Sequence, residues 1–81
     1  MFMTNINKSL LNKKLGIKIK FERMKRELSQ EQLSELASLN PNTIGRIERN
    51  EISPTIITVE KIAVALGLTF IELVDVSKFD L

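Results

Sequence analysis

The chain has no cysteine, no histidine, no tryptophan and no tyrosine. Without cysteine there is neither a disulfide framework nor a thiolate nucleophile. Without histidine the commonest general base and the commonest metal ligand are both missing. A zinc centre and a nucleophile–histidine pair are therefore excluded, and with them most hydrolytic chemistry. No catalytic constellation remains, so the chain is expected to be no enzyme and to need no metal and no cofactor. Long apolar runs are also missing. None approaches the roughly 18–20 residues of a membrane span. The opening "MFMTNINKSLLNKK" lacks the basic-then-apolar order of an export signal. No membrane association is expected, and the cytoplasm is the expected compartment. Glycine and proline number only three and two. No alternating run is bounded by hairpin residues, which argues against strands.

What is present is helical. Eighty-one residues make one small domain. Phe is the only aromatic, with four copies, so the core must be mostly Leu, Ile, Val and Ala. A core this small gains from well-capped helices or from a dimer partner. The net charge of +2 hides an asymmetry. Residues 1–30 carry eight Lys/Arg against Glu22 and Glu27, a net +6; residues 31–81 carry four against eight acids, a net −4. Such a split fits a face that meets a polyanion, or else a solvated basic helix.

Periodicity and caps give five helices. The first is predicted over about residues 13–27, with Ile17, Phe21, Met24 and Leu28 as its apolar stripe. Leu15 and Ile19 widen that stripe, and Lys18, Lys20, Arg23, Lys25 and Arg26 supply the rest of its surface. The second starts at Ser29, where "LSQEQL" is a Ser-x-x-Gln capping box with Leu28 and Leu33 as its hydrophobic staple. Its apolar residues are Leu33, Leu36 and Ala37, and it ends near Ser38. The third starts at Asn40 as cap and Pro41 as first helical residue, and ends near Arg49–Asn50. The fourth follows "ISPT", with Ile56, Val59, Ile62, Ala63 and Leu66 on one stripe and Gly67 as its stop. The fifth starts at Thr69, where Glu72 completes a second capping box.

The third helix holds the candidate site. At about 100° per residue from Pro41, Ile44 and Ile47 fall near 300° and 240°, a narrow apolar stripe. Pro41, Asn42, Gly45, Arg46 and Arg49 fall between about 0° and 140°. One side docks on the core, and the other presents an amide, a glycine and two guanidiniums. Asn reads adenine and Arg reads guanine in bidentate geometry in the major groove. Arg also pairs with phosphate. Gly45 costs roughly 0.5–1 kcal/mol relative to Ala in a helix interior. Its presence on an outer face suggests close approach to another surface, such as a groove wall. The second and third helices meet across a short turn, as in a helix-turn-helix. Gln30, at the amino end of the second, is placed to meet a phosphate.

The segments "LSQEQL", "TIGRIERN", "SPT" and "KIAVALGL", in this order and spacing, resemble the phage-repressor helix-turn-helix family (Xre/Cro-like) over residues 15–73. The resemblance implies an all-α, five-helix, lambda-repressor-like DNA-binding domain at 13–75. Its helix-turn-helix motif is 30–49 and its recognition helix 41–49, with a leader at 1–12 and a tail at 76–81. It implies that Pro41, Asn42, Gly45 and Arg46 face base edges, while Gln30, Asn40, Thr43 and Arg49 position the protein on phosphates. It also implies that Arg23 pairs with Glu48. Ser34, Ser38 and Asn50 depart from residues the family prefers, and all three are small or tolerate left-handed backbone. Pro41 is unusual at a reading position. The basic segment 8–14 is either a DNA-contacting arm or part of the leader.

One helix reads few base pairs, so such domains usually bind as dimers on two half-sites. Ile57, Val64, Phe70 and Ile71, with the tail "VDVSKFDL", form the candidate dimer surface of a homodimer. The resulting expectation is a transcription regulator, such as a repressor, whose partner is a double-stranded DNA operator. The alternative is the antitoxin of a toxin–antitoxin pair, which binds DNA and a protein toxin. A protein-interaction module that kept the fold without DNA binding is a third class, and Arg46 and Arg49 argue against it.

Overall fold

The computed structural model describes residues 3–78, with side chains from residue 10 onward. Its elements are α1 (Met3–Lys25), α2 (Gln30–Leu36), α3 (Thr43–Glu48), α4 (Ile56–Leu66) and α5 (Phe70–Val74). The fold is all-α, with no strand among the described residues. α1 packs on α3 and α5, α2 packs on α3 and α4, and α4 packs on α5. The shared core is Leu15, Ile19, Leu33, Ala37, Ile44, Ile47, Val59, Ile62, Ala63, Leu66 and Leu73.

The starts of the helices follow local chemistry. Both capping boxes form: Ser29 with Gln32, and Thr69 with Glu72. Thr55 caps α4 through the Thr58 amide. α3 begins differently from the expectation. Asn40 is not its cap. The Thr43 amide instead bonds the Asn40 carbonyl at 3.0 Å, so residues 40–43 form a turn with Pro41 second, where its fixed φ fits. Asn42 flanks the helix and offers no side-chain cap. A cap comes from outside, since the fully buried Ser34 hydroxyl accepts from the Ile44 amide at 3.3 Å. Ser34 thus has a use that alanine lacks.

The ends follow one rule. α1, α2, α3 and α4 each close on a left-handed residue: Glu27 (φ 55°), Ser38 (58°), Asn50 (60°) and Gly67 (73°). In each, the next amide returns to a carbonyl five residues back: Leu28 to Arg23, Leu39 to Ser34, Glu51 to Arg46 and Leu68 to Ala63. This is the Schellman closure, in which that next residue usually makes an apolar contact. Leu28, Leu39 and Leu68 do so against the core. Glu51 is the exception.

α1 corrects the expected stripe and boundaries. It is helical from Met3, so residues 8–14 continue the same helix, and Asn12 donates to Ser53 Oγ at 2.6 Å. Residues 1–2 of the expected leader and 79–81 of the expected tail lie outside the described residues. Phe21 (49% exposed) and Met24 (57%) do not face the core. The inward face holds Leu15, Lys18, Ile19, Glu22 and Arg23. Charged residues belong there because they satisfy helix ends. Lys18 Nζ donates to the Glu72 and Asp75 carbonyls at 2.7 and 2.9 Å, closing α5. Arg26 Nε donates to the Leu66 carbonyl at the end of α4, and its Nη1 bonds Glu22. Lys18 and Arg23 of α1, and Arg26 just after it, are therefore engaged inside the fold, while Lys13, Lys20 and Lys25 stay exposed. The exposed Phe21 ring lies under the Lys25 ammonium at 5.0 Å. In α4, Ile56 is likewise exposed (75%) instead of core, since Val59, Ile62, Ala63 and Leu66 already fill its inward face.

Candidate nucleic-acid interface

Three contacts fix α3 against the body of the fold. The first is apolar, with Ile44 and Ile47 fully enclosed. The second is a backbone approach at Gly16. A Cβ there would stand 2.7 Å from the Ile47 carbonyl oxygen and 3.3 Å from Glu48 Cα, so only glycine lets α1 come this close to α3. The third is polar. Arg23 and Glu48 meet side-on, Nε to Oε2 at 2.7 Å and Nη2 to Oε1 at 3.0 Å. Their side chains are 11% and 3% exposed. Gln30 Nε2 adds a 3.0 Å bond to Glu48 Oε1, and Arg23 Nη1 reaches the Leu28 carbonyl. One carboxylate thus ties α1, the start of α2 and α3 together. Such a two-pronged guanidinium–carboxylate contact fixes orientation as well as distance.

The opposite side of α3 is open. Asn40, Pro41, Asn42, Arg46 and Arg49 are exposed, while Thr43 and Gln30 are half-buried. Gly45 departs from the expectation, because it is buried and presents nothing to solvent. The atoms that cover it are Arg49 Nη1 and Gln30 Oε1, each 2.9 Å from where a Cβ would be. Its close approach is internal. It is the floor on which Gln30 and Arg49, two of the expected phosphate-positioning side chains, lie side by side.

Glu51 was not singled out from sequence, yet it borders both arginines. Its Oε2 accepts from Arg49 Nε at 2.7 Å, and its Oε1 stands 3.7 Å from Arg46 Nε. The hydrogen bond from Arg49, aided by the charges of Arg49 and Arg46, holds the Glu51 carboxyl below its usual range against the opposing effect of desolvation. The same bond raises Arg49. The signal was available: Asn50 in the left-handed region turns the chain back, so its successor must fall beside the last turn of the helix.

At the candidate dimer surface, Ile57, Val64 and Ile71 are exposed, while Phe70 is half-buried against the core. Phe70 follows the Thr69 cap directly and packs partly against the core. Among the described residues no group of acidic side chains is placed to hold a metal ion, and no helix is long and apolar enough to cross a membrane.

Residues 19–73 match the family model HTH_3, helix-turn-helix. The immunity repressor protein of Bacillus phage phi105 is 41% identical over 54 residues, 67% of this chain. The chain spans only 38% of that repressor's length. Among solved structures, an HTH_3 family transcriptional regulator from Vibrio cholerae superposes with a TM-score of 0.79 at 30% identity, over 88% of this chain and 41% of that one. A hypothetical transcription factor, NHTF, from Neisseria gives 0.76 at 26% identity, over 79% of this chain and 74% of that one.

Proposed function

Because the chain belongs to the helix-turn-helix family HTH_3, we propose that it is a sequence-specific double-stranded DNA-binding regulator of transcription, with α3 entering the major groove. The observation that carries this reading is the outer side of α3. Asn42, Arg46 and Arg49 stand exposed there on a helix locked from behind by Gly16, Ile44, Ile47 and the Arg23–Glu48–Gln30 network. A rigid helix bearing guanidinium and amide groups is what direct readout of base edges requires. Arg46 and Asn42 are the proposed readers, with Pro41 giving at most an apolar contact to a thymine methyl. Arg49, Gln30, Asn40 and Thr43 are the proposed phosphate contacts. The similarity to a phage immunity repressor supports repression as the mode of action.

The protein acts in the cytoplasm as a non-enzymatic homodimer, with Ile57, Val64 and Ile71 on the contact surface and two half-sites about one DNA turn apart. No observation favours the antitoxin alternative. Binding-site selection on random duplexes, with affinity then measured across salt, tests the reading. The expected result is an enriched half-site and an affinity that falls steeply with salt. Undetectable or salt-insensitive binding overturns it.

A further inference from the structure

We propose that Glu51 is a built-in competitor for the DNA backbone, an internal carboxylate that holds Arg46 of α3 and Arg49 at its C-terminal cap until a phosphate takes its place. The inference rests on the DNA-binding reading above and adds a regulator of affinity to it.

Three observations converge. The first is the position of Glu51 in the helix closure. Three other helices end in the same way, and the residue in that position is a leucine packed on the core each time: Leu28, Leu39 and Leu68. In α3 the position holds a carboxylate, and core packing passes to the next residue, Ile52. The second is the anchoring of its backbone. The Glu51 amide bonds the Arg46 carbonyl at 2.8 Å, so the side chain leaves the chain beside the last turn of α3. The third is the contact itself, with Arg49 at 2.7 Å and Arg46 at 3.7 Å from the two carboxylate oxygens. All three side chains are about half exposed. An open ion pair of this kind adds little to folding, so its consequence lies in the charge that α3 presents.

A guanidinium donates to a carboxylate or a phosphate in the same geometry. For Arg49 to reach a DNA phosphate through Nε, the Glu51 oxygen must leave. If it stays nearby, it repels that phosphate. Glu51 grips Arg49 more closely than Arg46, so it acts mainly on the backbone anchor rather than on the base reader. Its effect is therefore similar on all sequences.

The test is Glu51→Gln in the full chain, which keeps the amide closure and removes the charge. Glu60→Gln on α4 makes the same change in net charge away from these arginines. Folding is checked by circular dichroism, and affinity for a selected duplex and for random duplex is measured across salt. Glu51→Gln is expected to raise affinity for both duplexes by about three- to tenfold at low salt and to steepen the log–log salt slope by about one. Glu60→Gln is expected to change both much less. In an Arg49→Ala background the gain from Glu51→Gln should largely vanish. Unchanged or lowered affinity in Glu51→Gln overturns the inference, the latter by making Glu51 an orienting group. So does a gain equal to that of Glu60→Gln, or one undiminished without Arg49. If the wild-type chain binds no duplex at all, the functional reading falls together with this one.

Discussion

Two glycines in helices should respond differently to alanine. Helix propensity alone favours Gly→Ala by about 0.5–1 kcal/mol at each. At Gly16 the new methyl meets backbone, the Ile47 carbonyl oxygen at 2.7 Å and Glu48 Cα at 3.3 Å. Neither atom can move without moving α3. Relief requires α1 and α3 to part by roughly half an ångström, which loosens the packing of Ile44 and Ile47 and stretches the Arg23–Glu48 contact. Overpacking of this kind costs about 1–3 kcal/mol. Gly16→Ala should therefore destabilise by about 1–2 kcal/mol net, a fall in Tm of about 4–16 °C for a domain of this size. At Gly45 the obstacles are the far ends of Gln30 and Arg49. They swing aside, so Gly45→Ala should shift stability by no more than about 1 kcal/mol in either direction. It should nevertheless weaken DNA binding, because it displaces both side chains. Urea and thermal unfolding of the two variants, with DNA titrations, measure this. If Gly16→Ala is the more stable of the two, the close approach of α1 to α3 is not what the structure describes.

Three further outcomes follow. Glu48→Gln leaves the Arg23 guanidinium enclosed without its counter-charge and should cost about 3–5 kcal/mol in unfolding experiments; a loss under about 1 kcal/mol would contradict the network's role. The chain has no histidine or cysteine, the residues whose ordinary values lie nearest neutrality, so stability should be flat there. Burial pushes the Glu22 carboxyl up, but the Arg26 hydrogen bond and the charges of Lys25, Arg26 and Lys18 outweigh it and leave it below its ordinary value. A lowered folded value means that its contribution is present above about pH 4.3 and lost as pH falls through the folded value, so Tm should drop there and drop less in Glu22→Gln. Finally, Ile57→Lys with Val64→Lys should abolish a dimer seen by sedimentation at tens of micromolar; a wild-type chain that stays monomeric with and without DNA contradicts the proposed surface.

Much of the fold was legible because helix ends carry short-range chemistry. Ser29–Gln32, Thr69–Glu72 and Gly67 mark boundaries through contacts within a few residues. α1 was misread because periodicity counts Lys18 and Arg23 as surface, whereas their partners lie 25 or more residues away, in α3 and at the end of α5. Ile56 was misread because its stripe was longer than the core it serves. At the candidate site, the exposure of Asn42, Arg46 and Arg49 was legible from angle alone. Gly45 was misplaced because the side chains that bury it come from elsewhere in the chain and from the next turn. Its proposed reason, close approach, is met inside the fold by Gln30 and Arg49 rather than by a groove wall, while Gly16 makes the closer approach to backbone.

The central claim is that α3 separates a base reader from a backbone anchor. It is tested most directly by measuring Arg46→Ala and Arg49→Ala against a selected duplex and a set of single-base variants. Arg46→Ala should flatten discrimination at one position per half-site by about 1–3 kcal/mol and leave the other positions unchanged. Arg49→Ala should lower affinity for every duplex by a similar factor and reduce the salt slope by about one. Identical, uniform losses in both variants would contradict the claim.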